Sequence, residues 1–338
     1  MTARNGDRPA ISVVIPTCGR PFLLDRCLGA LLRQSLSGRS YEIVVVEDGE
    51  GDDGGTLAVC DERRIQSLAS DGPAIQHLQT GRRRGPAAAR NLGWRAARGE
   101  LIAFTDDDTI PDPDWLREAQ AAMQPAHRVA VWGRVDVPLP DRLTDHALNT
   151  AGLQNAVFVT ANAIVRRSAL QAVGGFDERY RRAWREDSDL YFALLSAWPG
   201  EDAIAPAPRA RVLHPVRDAR FLISIGQQAN IAFDALLFKK YPSLYDERIG
   251  FRRPPPEYTS IVAATVAALA VWPLSGAAAA GALALALVLI ARLARRRLKG
   301  LARTPANVVE MLVSSAVIPF VSLYWRLAGA LRWRVAFF

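Results

Sequence analysis

A chain of 338 residues, half of them apolar and 22% charged, can bury a full core and more than one structural unit. Its formal charge of +8 does not read as a nucleic-acid footprint. Arg252, Arg253, Arg292, Arg295, Arg296, Arg297, Lys299 and Arg303 gather beside apolar segments rather than on a recognition element. Cys18, Cys27 and Cys60 lack zinc-type spacing and need no pairing, which fits a reducing compartment.

The first 250 residues have the composition of a soluble domain. Residues 11–15 form a β-branched run that stops at Pro16, and residues 17–21 make a loop. Leu23, Leu24, Cys27, Leu28, Leu31 and Leu32 recur at helical spacing within 22–34. A second buried-type strand, 41–46, ends at Glu47, Asp48 and Gly49. A flexible loop over 51–55 then leads to a helix at 56–68 and a weak strand at 75–78. An Ala-rich helix over 85–98 precedes a strand at 101–104. This alternation predicts an α/β fold with a mostly parallel sheet flanked by helices. Groups that do chemistry collect at the C-terminal ends of such strands. Further strands are expected at 129–135, 161–166 and 210–213, with a sharp turn at Gly174 and Gly175. Helices are expected over 186–198, whose first turn carries Glu186, Asp187 and Asp189, and over 217–240.

Residues 251–257 read as a stiff, basic, Pro-rich linker. Behind it, 258–291 carries no charged side chain, and its 34 or so residues exceed the ~20 that cross a bilayer. Residues 272–276 interrupt the run, leaving a helical hairpin or one long kinked helix as solutions. The hairpin keeps Arg252 and Arg253 on the same side as 295–299, as the positive-inside rule favours. A further apolar stretch, 308–325, contains Pro319 and either spans or lies at the interface. Residues 1–9 are polar and lack a signal-peptide core, so the soluble part, 1–250, is expected in the cytoplasm and 258–338 at the membrane.

The most telling feature follows the strand at 101–104, which delivers Asp106, Asp107 and Asp108 to one point before a Pro-rich turn. Three packed anions repel one another unless a cation sits among them. A hard divalent cation with oxygen ligands fits, and such a cation neutralises phosphate. Taken alone, the run also fits a solvated acidic loop or a helix cap before Trp115. Two more clusters, 17–20 and Asp48, stand at neighbouring strand ends.

Six short motifs occur in order. They are Val13-Val14-Ile15-Pro16-Thr17 with Arg20, Val44-Val45-Val46-Glu47-Asp48-Gly49, and Gly85 with Ala89-Arg90-Asn91-Leu92-Gly93. Next come Phe104-Thr105-Asp106-Asp107-Asp108 with Pro111, Pro113 and Trp115, then Gly174-Gly175-Phe176-Asp177-Glu178, and finally Arg185-Glu186-Asp187-Ser188-Asp189-Leu190. This pattern, from about residue 11 to 214, resembles the family 2 glycosyltransferases of GT-A fold. The resemblance implies that Asp106, Asp107 and Asp108 supply a D-x-D motif: Asp108 on Mn²⁺ or Mg²⁺, Asp106 on the ribose or the metal, Asp107 able to replace either. It puts Asp48 on a uracil N–H, Pro16, Thr17 and Arg20 along the nucleotide, and Arg84 or Arg90 near the diphosphate. Asp187, beside Glu186, matches the position of the base that deprotonates the acceptor hydroxyl in an inverting transfer. The same acids also suit a helix first turn. His214 is a candidate to complete the metal shell, and Trp184 and Trp132 to stack on sugar or acceptor; each also reads as structural.

Cys18-Gly19 replaces the Asn or Tyr frequent in the family, and Glu47 stands where Asp is common. No Q-x-x-R-W signature of processive synthases is present, so a single addition is expected. The whole reads as a membrane-anchored, metal-dependent, inverting transferase on the cytoplasmic face of the cytoplasmic membrane. It would take a UDP-sugar and a lipid-linked or cell-envelope glycan acceptor. A nucleotidyltransferase would need a Gly-rich, Lys-containing loop after the first strand, which 17–21 lacks. A binding module that has lost catalysis would show a damaged acidic motif, and both acidic clusters are intact.

Overall fold

The computed structural model describes residues 8–50, 55–200, 202–250 and 252–337; the loop expected at 51–55 lies outside the described residues except for Gly55. The chain divides into two compact units, Met1–Pro138 with Gly152–Pro215 and Leu139–Ala151 with Val216–Phe338. The second unit thus takes in 216–250, which composition alone groups with the soluble part.

Among the described residues the first unit holds eight strands: β1 Ile11–Thr17, β2 Tyr41–Glu47, β3 Ala74–Gln79, β4 Leu101–Phe104, β5 Ile110–Pro111, β6 Ala130–Asp136, β7 Ala163–Arg166 and β8 Ile204–Leu213. They form one sheet in the order β3-β2-β1-β4-β7-β6-β8-β5. β1 and β2 are buried along their whole lengths, as strands covered on both faces must be. The β3-β2-β1-β4 half is parallel, as the alternation predicts. Beyond β4 the sheet is mixed: β7 runs antiparallel to both its neighbours, β6 and β8 are parallel, and β5 is antiparallel to β8. β8 starts six residues before the strand expected at 210, in a stretch where Pro206 and Pro208 mask the pattern. A register shift at Gly133/Arg134 makes room for Asn162, whose amide donates to the carbonyls of Arg134 and Ala210 at 2.9 Å each. A Cβ at residue 133 would lie 2.2 Å from the Ala210 oxygen, so glycine is required there.

Helices Pro21–Leu31, Thr56–Ala69, Pro86–Ala96, Trp115–Ala122, Arg167–Val173 and Glu186–Ala197 flank the sheet. Pro86–Ala96 lies directly on β1 and β2 because Gly93 lets it approach: a Cβ there would sit 2.4 Å from Val14 Cγ1. The helix can settle on the strands only where no side chain intervenes, and this proximity sets where Arg90 and Asn91 reach.

The second unit is helical. The uncharged run 258–291 folds as two helices packed on one another, Pro256–Val271 and Gly276–Arg297, rather than as one kinked helix. Ser275 caps the second through Ala278 N at 3.3 Å. Pro305–Trp333 extends well beyond the expected 308–325 at both ends. Its C-terminal part packs on Ile231–Lys240; Trp333 Nε1 donates to the Ala232 carbonyl at 2.8 Å, and a Cβ on Gly329 would meet Ala232 Cα at 2.7 Å. Gly276–Arg297 and Pro305–Trp333 are long and apolar enough to cross a membrane, with mean hydropathies of 2.2 and 1.7. The helix expected over 217–240 starts later, as Ile223–Gln227, and reaches Ile231–Lys240 through a 3₁₀ turn.

Candidate active site

The site forms at the C-terminal tips of β1, β2 and β4 and at the end of β8. After β1, Gly19 takes a φ of +59° and its N–H donates to Glu47 Oε1 at 3.0 Å; Glu47 Oε2 accepts from Thr56 Oγ1 at 2.7 Å. Glu47 therefore fastens the β1 loop to the start of Thr56–Ala69. Buried Asp48 accepts from Arg84 N and Gly85 N at 2.8 Å each and from Thr80 Oγ1 at 3.1 Å. It shapes the 80–85 loop. Gly85 has a φ of +96°, and a Cβ there would lie 2.6 Å from the Arg181 carbonyl, so this loop and the one at 179–185 are in contact. Pro16 is the penultimate residue of β1, paired with Val46.

The three consecutive acids separate. Asp107 is fully buried, accepts from Thr17 Oγ1 at 2.7 Å and pairs with Arg20 Nε at 2.9 Å. Burial pushes its carboxyl up to about 7 against the pull of Arg20. Asp106 and Asp108 turn toward His214, and one donor atom from each of the three lies within 4.8 Å of the others. His214 follows β8; its N–H donates to the Asp136 carbonyl at 2.8 Å, and its Nε2 stands 3.5 Å from Asp108 Oδ1. Its Nδ1 is buried without a hydrogen-bond partner. Two carboxylates and an imidazole fit Mn²⁺, which takes both oxygen and nitrogen ligands, and fit the more oxygen-selective Mg²⁺ less well.

Arg90 is 3% exposed and joins this cluster to the other acidic motif. Its Nη2 donates to Asp106 Oδ1 at 2.8 Å and its Nη1 to Glu186 Oε1 at 3.0 Å. Burial would raise the Asp106 carboxyl, but Arg90 first, then His214 and Arg20, hold it below the usual range. Glu186 is pushed up to about 7 by burial, with the Asp187 charge adding to the effect. Half-buried Asp187 is also raised by burial, opposed by the Ser188 N–H at 2.6 Å. Both acids follow Arg185, whose φ of +71° turns the chain sharply into Glu186–Ala197.

Arg84 is exposed and ion-paired with Glu178. Arg90 is paired with two carboxylates, through Nη1 and Nη2. Trp184 lies under the Arg185 guanidinium at 4.9 Å, and Trp132 meets Tyr191 edge-on at 6.2 Å; both indoles are half-buried. Residues without a role in the sequence reading prove central. Asn91 accepts from Phe176 N at 2.9 Å and Trp94 Nε1 at 2.9 Å, and donates to Phe176 O at 2.8 Å and Glu178 Oε1 at 3.0 Å. It pins the Gly174–Gly175 turn that leads toward Glu186. A Cβ on Gly175 would lie 2.6 Å from the Asn91 amide oxygen, so the pair is sterically matched.

The mixed sheet flanked by helices, with carboxylates clustered at its strand tips, has the GT-A type of fold. The sequence profile of glycosyl transferase family 2 matches residues 12–176, just under half of the chain. The glycosyltransferase AglE of Haloferax volcanii is 26% identical over 267 residues, covering 75% of this chain and 84% of that protein. A GalNAc(5)-diNAcBac-PP-undecaprenol β-1,3-glucosyltransferase of Campylobacter jejuni is 33% identical over 101 residues, 30% of each chain. A solved mannosyltransferase, PcManGT of Pyrobaculum calidifontis in complex with GDP-Man and Mn²⁺, superposes with a TM-score of 0.54 at 20% identity, over 97% of this chain and 88% of that one. At that identity the likeness speaks to the fold.

Proposed function

We propose that the protein is a membrane-associated, metal-dependent, inverting glycosyltransferase that moves a sugar from a nucleotide diphosphate sugar, a UDP-sugar first among candidates, to a lipid-linked or envelope glycan acceptor. The convergence of Asp106, Asp108 and His214 within 4.8 Å carries the reading. These three residues hold Mn²⁺ or Mg²⁺. When bound, such an ion supplies Lewis-acid neutralisation of the charge that develops on the leaving diphosphate. Pro16, Thr17 and Arg20 line the nucleotide, and Asp107 keeps Thr17 and Arg20 in place from beneath. Asp48 faces the base while holding the 80–85 loop, from which Arg84 reaches the diphosphate by exchanging its Glu178 partner.

Asp187 takes the acceptor proton as the hydroxyl attacks C1 and the bond to the diphosphate breaks. Its Oδ1 is occupied by Ser188, which leaves Oδ2 for the acceptor. Burial raises its proton affinity, which suits a base working near neutral pH. Support for the acceptor class comes from the C. jejuni relative, whose name specifies an undecaprenyl-diphosphate-linked glycan, and from the apolar helices Gly276–Arg297 and Pro305–Trp333. Arg292, Arg295 and Arg296 in the last turns of Gly276–Arg297, with Lys299 just after it, favour the cytoplasmic leaflet.

A thermal-shift screen of UDP-, GDP- and dTDP-sugars with Mn²⁺ or Mg²⁺ tests the proposal. A UDP-sugar should raise the melting temperature far more when the metal is present than when it is not. No shift from any nucleotide sugar with either metal contradicts it.

A further inference from the structure

Arg90 is the most deeply buried cation at the site, and its two carboxylate partners belong to different motifs. Asp106 is one of the three residues around the cation position; Glu186 adjoins the proposed base. The pairing is unequal in a useful way. Asp106 keeps 27% of its side chain exposed, whereas Arg90 and Glu186 are 3% and 4% exposed. Glu186 Oε2 is buried without a hydrogen-bond partner, so Glu186 has an unused acceptor within the same enclosed space as the guanidinium. Arg90 Nε likewise lacks a partner, and the Phe176 ring lies 5.8 Å from its guanidinium carbon, a flat apolar surface against which the group can turn.

We infer that Arg90 is a positioning residue that ties cation binding at Asp106 to the seating of the Glu186–Asp187 pair. The inference rests on the proposed reading of Asp106, Asp108 and His214 as the cation site. A guanidinium and a dication compete for the same carboxylate charge. With the cation bound, Arg90 is driven from Asp106 toward Glu186, where the second oxygen completes a bidentate pair. That pair draws the first turn of Glu186–Ala197, and Asp187 with it, into one position. The base is therefore set firmly only when donor and metal are in place. Linkage makes the effect reciprocal: whatever strengthens Arg90 on Glu186 strengthens the cation on Asp106.

Titration of the purified full-length protein with Mn²⁺ alone, with free Mn²⁺ read by electron paramagnetic resonance, tests this without turnover. In E186Q, Arg90 has only Asp106 as a charged partner, so Mn²⁺ binding should weaken at least about fivefold, the lower end of typical coupling between sites. Arg90→Met removes the competing charge and should tighten Mn²⁺ by at least about fivefold through the same coupling. Asp187→Asn removes a neighbouring charge that does not touch Arg90 and should leave Mn²⁺ affinity within about twofold, the scale of a screened pair of charges. E186Q binding Mn²⁺ as the parent does would overturn the inference, as would an equal loss in Asp187→Asn, which marks a plain field effect. A weaker Mn²⁺ affinity in Arg90→Met also overturns it, because Arg90 then only holds the site together. Should Arg90→Met not fold, the near-isosteric E186Q still decides the matter. A parent protein that binds no Mn²⁺ overturns the cation reading and this inference together, whereas a parent that binds with an unmoved E186Q overturns this inference alone.

Discussion

Replacing Asn91 by alanine is the sharpest test of how the site is held. Asn91 is 1% exposed and its amide makes four hydrogen bonds, two with the Phe176 backbone, one with the Trp94 indole and one with Glu178. Asn91→Ala leaves the Phe176 N–H and C=O and the Trp94 Nε1–H buried without their partner. Each orphaned group costs about 1–3 kcal/mol, and partial re-pairing with water brings the total to about 4 kcal/mol. For a unit of this size that corresponds to a fall of about 8–16 °C in melting temperature. The loss should concentrate in the first unit, since all four partners lie there. Differential scanning calorimetry of the full-length protein measures it. A fall under about 2 °C would mean that the Gly174–Gly175 turn is held by something other than Asn91.

Gly85→Ala should lower both the melting temperature and the affinity for UDP, because an alanine at a φ of +96° with its Cβ 2.6 Å from the Arg181 carbonyl must displace the 80–85 loop. Isothermal titration with UDP and a thermal melt read the two effects, and an unchanged UDP affinity would detach that loop from the nucleotide. The Glu186 carboxyl, pushed up to about 7 by burial, favours its protonated form in the folded state. Its contribution is therefore complete below the unfolded value near 4.5 and is lost as pH rises through 7. Buried Asp107, also pushed up to about 7, titrates in the same window in both proteins, so the parent should lose up to about 3 kcal/mol more stability than E186Q between pH 5 and pH 8 in urea melts. Asn162→Ala should destabilise by about 3 kcal/mol, since the Trp115 indole and the Arg134 and Ala210 carbonyls all depend on it. A change below about 1 kcal/mol in the same melts would dissociate Asn162 from the β6 register shift.

The parallel half of the sheet was legible because β1, β2 and β4 are buried on both faces and so appear as unbroken apolar runs. The mixed half was less so. β5 is a two-residue edge strand with no pattern to read, and the first part of β8 is hidden by its prolines. The acidic clusters were legible as residue types, but their division of labour was not. Nothing in Asp106-Asp107-Asp108 says that the middle acid turns back to Thr17 and Arg20 while its neighbours turn to His214. Arg90 was legible as a basic residue of a motif, yet its partners are 16 and 96 residues away in sequence and emerge only from the packing of Pro86–Ala96 on the sheet. Asn91 was legible only as a member of a motif, with no role attached. Its hydrogen bonds reach 85 and 87 residues along the chain, a distance that spacing arguments cannot bridge.

UDP binding by the parent and by Asp108→Ala, measured by isothermal titration with and without Mn²⁺, addresses the cation site most directly. The parent should bind UDP far more tightly with Mn²⁺ than without it, and Asp108→Ala should lose that difference while keeping the weak metal-free binding. Equal Mn²⁺-dependent tightening in the two proteins would contradict a cation held between Asp106, Asp108 and His214.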